Sequence, residues 1–229
     1  MKKLTALALF LCLLLSCSAA LATEYHVGIL QLVQHVALDA ATQGFRETLE
    51  ARLAENGDTV VFQEQNASGD SANCATIANG LVADEVDLIM ANATPALQAC
   101  STATGEIPIL GTSITDYATA LEIDDWTGKT GINVSGTADL APLDGQAAMI
   151  QELFPEAQTV ALLYCSAEPN SLYQVNVIEG LLQDMGYTCK RYPFADSNDV
   201  ASVAQSACDG SDVIYIPTDN TAASCTEAI

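Results

Sequence analysis

Beyond residue 22 this chain alternates short apolar, β-branched runs with longer stretches whose apolar residues recur near the helical period, and that alternation admits few folds. Residues 26–30 read as a first strand. Residues 37–54 follow as a helix, because Ala37, Leu38, Ala41, Phe45, Leu49 and Leu53 recur along one face, and Asn56-Gly57 stops it. Strands over 59–62, 86–91, 107–110 and 131–134 are interleaved with a helix over 70–82 and a second that opens at Thr94-Pro95. There Thr94 is the expected cap and Pro95 the first helical residue. The order then starts again: helix 142–153, strand 159–164, helix 169–185 closed by Gly186, strand 189–194, helix 198–208, strand 213–216 and a helix start at Asp219.

Repeated β-α-β order implies parallel sheets covered by helices. Two Rossmann-like α/β lobes are expected, residues 23–138 and 139–229, with a cleft between them. Asp87-Leu88-Ile89-Met90 and Asp212-Val213-Ile214-Tyr215 occupy equivalent places in the two halves, as do Cys100 and Cys225, which makes the second half a structural echo of the first. The second half is the shorter. A lobe of three strands leaves a sheet edge open, so the C-terminal part of the fold is expected to be missing from this chain.

The first 22 residues have the character of an address. Lys2 and Lys3 precede an apolar run over 4–15, and Ala20-Leu21-Ala22 supplies a small-x-small cleavage pattern, so residues 1–22 are expected to be a signal peptide. Leu14-Leu15-Ser16-Cys17 offers the other reading, a lipobox that would anchor the chain through Cys17. Either way the protein is exported, to the periplasm or the outer face of the membrane. With the two leader lysines gone, five bases remain against 29 acids. That field repels phosphate backbones and anionic lipid, and it excludes nucleic acid as a partner. Six cysteines remain after the leader, at 74, 100, 165, 189, 208 and 225. An even number in an oxidising compartment is consistent with disulfides, among 15 possible pairings. No CxxC and no Cys/His cluster at zinc spacing occurs, so no metal is expected.

Open parallel sheets bind ligands beyond the carboxyl ends of their strands. The loops expected there are polar and nearly uncharged. They are 31–35, 92–94, 111–116 and 135–137 in the first half, with 166–171 and 217–220 in the second. Hydroxyls, amides and helix N-termini suit a carboxylate, and Glu168 or Asp219 suits an ammonium. One lobe for each charge is a zwitterion site, which points to an amino acid. In that reading Thr94, Ser113 and Thr115 hold the carboxylate, and Glu168, Asn170, Asp219 and Asn220 hold the amine. Gln31 and His35 flank the ligand side chain, and Gly136 lines the site. No G-x-S-x-G, Walker or G-x-G-x-x-G motif is present, and neither His26 nor His35 has a nucleophile beside it in sequence. No catalytic residue and no cofactor is therefore assigned.

Several segments carry a family resemblance. Gln31-Leu32-Val33-Gln34-His35-Val36-Ala37-Leu38-Asp39, Asn73-Cys74-Ala75-Thr76-Ile77-Ala78-Asn79 and Ala91-Asn92-Ala93-Thr94-Pro95-Ala96 resemble the first loop and helix, the second helix and the third strand-to-helix turn of a family of ABC-importer substrate-binding proteins. Its representatives are the tryptophan-binding lipoproteins of streptococci. Asn133-Val134-Ser135-Gly136-Thr137-Ala138-Asp139, Glu168-Pro169-Asn170-Ser171 and Pro217-Thr218-Asp219-Asn220-Thr221 extend the match, which covers residues 25–229. Val36 stands where the family has Pro, and Cys165 where it has a polar residue. The resemblance implies a type I periplasmic-binding-protein fold and capture of an aromatic amino acid or similar solute by closure of two lobes. It implies a monomer that delivers its ligand to permease and ATPase subunits. A sensory module of the same fold, signalling to a membrane receptor, is the alternative function, with an α/β hydrolase behind it.

Overall fold

The computed structural model describes residues 22–229. Residues 1–21 of the expected leader, Cys17 among them, lie outside the described residues. A first sheet holds β1 (Glu24–Gln31), β2 (Thr59–Asn66), β3 (Leu88–Asn92), β4 (Ile109–Ile114) and β5 (Val134–Ala138), all parallel, in the order β2-β1-β3-β4-β5. A second holds β6 (Thr159–Cys165), β7 (Thr188–Phe194) and β8 (Val213–Tyr215), also parallel, in the order β7-β6-β8. Helices α1 (Val36–Ala54), α2 (Ser71–Ala83), α3 (Thr94–Ala103) and α4 (Tyr117–Ala120) belong with the first sheet. Helices α5 (Leu143–Leu153), α6 (Pro169–Asp184), α7 (Val200–Gly210) and α8 (Asn220–Ser224) belong with the second.

The central strands explain why the sheets are parallel. Val160 to Cys165 of β6 is buried without a break. Val160, Leu162 and Tyr164 enter a core with Leu143, Ile150, Val175 and Ile178, while Leu163 and Cys165 enter another with Phe194, Val200 and Ala204. A strand apolar on both faces needs helices above and below, which only a crossover topology supplies. Pro193 sits in β7, an edge strand, where a missing N–H costs no ladder bond. In the first lobe β1, β3 and β4 bury Leu30, Ile89, Ala91, Ile109 and Ile114 against Leu38, Leu81 and Leu97 from the helices.

Helix ends fall where the chain chemistry sets them. Gly57 (φ 82°) and Gly186 (φ 95°) take the left-handed conformation just past α1 and α6. Asp70 caps α2 by accepting hydrogen bonds from the N–H groups of Ala72 (2.6 Å) and Asn73 (3.2 Å). Among the described residues no helix is long and apolar enough to cross a membrane.

Several expectations are corrected. The fifth strand is Val134–Ala138, not 131–134. Gly131 is left-handed (φ 72°), Ile132 is exposed, and the Asn133 amide is spent on the carbonyls of Thr104 and Ile107, so pairing with β4 begins only at Val134. Ser135, Gly136 and Thr137 thus lie in a strand, not a loop, and residues 111–114 lie in β4. The cap of α3 is Ala93, and Thr94 is its first residue. The one-turn helix α4 carries no sequence signal long enough to predict it. None of the six described cysteines is joined to another; Cys74, Cys100 and Cys165 are buried thiols, with burial raising Cys165 to about 11 and Cys100 to about 12.

Candidate functional site

All eight strands run the same way within their sheets, so their carboxyl ends gather at one edge of each lobe. Those edges meet. Helices α3 and α4 of the first lobe pack against α6 of the second. The His35 Nε2 atom lies 3.4 Å from the Asn220 Oδ1 atom, a hydrogen bond from one lobe to the other.

On the first-lobe edge the N-terminus of α3 is buried, whereas the equally uncapped start of α1 is largely exposed. Asp70, Asp116 and Asp219 cap α2, α4 and α8 with their carboxylates. Helix α3 has no side-chain cap, and Pro95 removes one donor. Ala93, Thr94, Pro95 and Ala96 are all buried, so solvent does not serve the free N–H groups of Thr94 and Ala96. The Thr94 hydroxyl, on a residue 2% exposed, also has no partner. Ala93 adopts φ 90° and ψ 156°, a region that is nearly glycine-only and costs about 1–3 kcal/mol. A strained, uncapped, buried helix start has free donors that can receive an anionic group.

The neighbouring predicted residues divide by role. Ser113 is also left-handed (φ 57°) and half-buried, at the irregularity where β4 shifts register against β5. Thr115 is buried beside Asp139, whose carboxyl is raised by burial and partly held down by that hydroxyl. Gly136 is committed to packing: a Cβ there would overlap the Gly111 carbonyl and the Tyr117 hydroxyl. Gln31 is committed as well. Its amide nitrogen donates to Asp39 (2.7 Å) and to the Val33 carbonyl (2.9 Å), and its oxygen accepts from Thr42 (2.6 Å). Asn92, buried beside it, donates to Thr42 (3.0 Å) and to the Leu38 carbonyl (2.9 Å). This network ties α1 to the ends of β1 and β3 and was missed by sequence reasoning.

On the second-lobe edge two carboxylates lie buried together. Glu168 Oε1 accepts from the Thr221 N–H (2.8 Å) and hydroxyl (2.7 Å). Its Oε2 accepts from the Asn220 N–H (3.1 Å), the Asn220 amide (2.6 Å) and the Asn170 amide (3.2 Å). Asp219 accepts from the N–H groups of Cys165 (2.6 Å) and Ala222 (2.8 Å), tying β6 to α8. Burial and then the charge of Glu168 push Asp219 up to about 6. Among the described residues no lysine or arginine is paired with either acid; Arg46, Arg52 and Arg191 pair with Glu64, Glu55 and Glu179. The pair is thus an uncompensated negative centre. Beside it the Asn170 Oδ1 atom is buried with no donor, because the amide nitrogen is fixed by Glu168, Ser171 and the Thr218 carbonyl. Gln174, another residue sequence reasoning missed, holds the Thr218 peptide from both sides.

Residues 26–229 match the family described as ABC transporter substrate binding protein. The chain is 35% identical over 197 residues to the tyrosine-binding protein of Clostridioides difficile (strain R20291), covering 86% of this chain and 57% of that protein's length. Among solved structures it is similar to an ABC domain from Streptococcus pneumonia in complex with L-Trp, with TM-score 0.82 and 33% identity, over 90% of this chain and 69% of the other. It is also similar to the ligand-free, open structure of a substrate binding protein with adhesive properties from Clostridium difficile, with TM-score 0.58 and 35% identity, over 89% and 69%.

Proposed function

Because this chain belongs to the ABC transporter substrate-binding protein family and has the type I periplasmic-binding-protein fold, we propose that it captures an amino acid, with an aromatic side chain, by closing its lobes around it. The observation that carries the reading is the contrast between the two edges. The first offers a buried helix start without a cap and a spare hydroxyl; the second offers a spare carbonyl oxygen beside two uncompensated carboxylates.

A carboxylate fits the first edge and an ammonium the second. The N–H groups of Thr94 and Ala96 and the Thr94 hydroxyl hold the ligand carboxylate, with Ser113 and Thr115 behind them. Asn170 accepts from the ammonium. Glu168 and Asp219, whose oxygens already accept seven hydrogen bonds from the protein, attract it by charge. Asn220 keeps Glu168 in place, while Gln31, Gly136 and His35 shape the wall. The tyrosine and L-Trp named for two relatives support an aromatic side chain. At nearly equal identity the chain is more like the L-Trp complex (0.82) than the open, ligand-free relative (0.58), which supports lobe closure as the mechanism. In this reading the protein works without turnover, outside the cytoplasm, either free or anchored through Cys17, and hands its ligand to a permease and ATPase.

Thermal shift tests it. Tyrosine, tryptophan and phenylalanine are expected to raise the melting temperature, by about 2.7 kcal/mol of stabilisation at a hundredfold excess over Kd. Deaminated analogues that keep the carboxylate and ring are expected to bind at least tenfold more weakly, since they leave Asn170 without a donor. Equal binding of an amino acid and its deaminated analogue would remove the two-edge assignment.

A further inference from the structure

We propose that His35 and Asn220 form a latch that holds the two lobes together even when the cleft is empty. The inference rests on the reading of the lobes as two jaws of one ligand cleft.

Three features of the pair carry it. First, His35 occupies the N-cap position of α1 with extended backbone (φ −159°, ψ 161°), yet its ring caps nothing. The imidazole is therefore spare and points its bonding capacity away from its own helix. Second, the Asn220 amide is oriented. Its Nδ2 donates to Glu168 at 2.6 Å, so its oxygen is the atom presented to His35 at 3.4 Å. His35 must then present Nε2–H, and both the neutral Nε2–H tautomer and the imidazolium satisfy that demand. Third, among the described residues this is the one side-chain hydrogen bond between residues before and after Asp139. Its far end is rigid, because Glu168 is fixed by Thr221 and Asn170 and through them by α6 and α8. Its near end is mounted where β1 ends and α1 begins, next to Val36, which is 87% exposed. A free ring on one jaw meets an oriented acceptor on the other.

One neutral hydrogen bond of this length shifts the ratio of closed to open lobes by about fivefold. His35 acts here through Asn220 and is a positioning residue. The test needs no ligand. Small-angle scattering is recorded on ligand-free wild type, His35→Ala and His35→Gln, with circular dichroism to show that each is folded. The alanine variant is expected to show a larger radius of gyration, as closed molecules open by that fivefold shift. Glutamine, whose amide nitrogen donates at the same reach as Nε2–H, is expected to scatter like wild type. A His35→Ala profile that superimposes on wild type overturns the latch, as does a glutamine variant as open as the alanine one. Failure of tyrosine or tryptophan to bind would count against the ligand reading and leave this result standing.

Discussion

Glu168 is the residue at which the structure makes its sharpest demand. If its carboxylate were a free arm awaiting a ligand, Glu168→Gln would leave folding intact. The hydrogen bonds say otherwise. On the Oε2 side three N–H groups converge, from Asn220 backbone, Asn220 amide and Asn170 amide. A glutamine cannot place its NH2 there without facing all three. It must put its nitrogen on the Oε1 side, where the Thr221 hydroxyl can turn to accept but the Thr221 N–H cannot. One buried backbone donor is orphaned, at about 1–3 kcal/mol, and charge-assisted bonds become neutral ones. Relief of the repulsion that raises Asp219 offsets a part, on the order of 1 kcal/mol. A net loss of about 2 kcal/mol is expected at pH 7, read as a lower urea midpoint with unchanged slope. A midpoint equal to wild type would refute the saturated-carboxylate argument and return Glu168 to the ligand.

Two further outcomes follow from the same geometry. Asp219 sits near 6 against an ordinary 3.8, so the folded chain holds its proton more tightly than the unfolded one. Its contribution is present below pH 4 and lost as pH rises through about 6, by up to about 3 kcal/mol. The stability advantage of wild type over Asp219→Asn should therefore shrink across that window; parallel curves in a pH series of urea titrations count against it. Gly136→Ala forces a Cβ into the Gly111 carbonyl and should lower the melting temperature by roughly 4–8 °C, about 2 kcal/mol. Gly44→Ala, in open space on α1, should raise it slightly; equal effects in a melting scan would show that the β4–β5 contact does not constrain position 136.

The fold was legible where local chemistry and tertiary packing agree. The run 159–164 reads as a buried strand because every side chain in it is apolar or β-branched, and it folds as one. Asn56-Gly57 and Gly186 stop helices because only a residue at ease with positive φ fits there. Agreement fails at β5. Ser135, Gly136 and Thr137 have no apolar signal, and they are a strand only because β4 offers its edge to them. Such pairing is a property of the neighbour and cannot be read from the segment itself. The Gln31–Thr42–Asn92 network is invisible for the same reason: its members are 61 residues apart at the extremes and meet only through the β1–β3 register.

The candidate site was half legible, and the division has a physical cause. The strand ends are polar in the sequence because segments there face the cleft; roles were harder, because a side chain's role depends on which bonds the fold has already spent. Glu168 reads as a ligand carboxylate until five protein donors are counted on it. Yet one sequence signal could have marked the uncapped start of α3. Asp70, Asp116 and Asp219 stand at three helix starts as capping residues should, while the start at 93–96 reads Ala-Thr-Pro-Ala. Assigning Thr94 as cap hid the gap. A helix whose first turn is apolar, lacks an Asx or Ser/Thr cap and opens at the carboxyl end of a central strand leaves its N–H groups to something outside the chain. In the proposed reading, that missing cap is the place the ligand's own carboxylate fills.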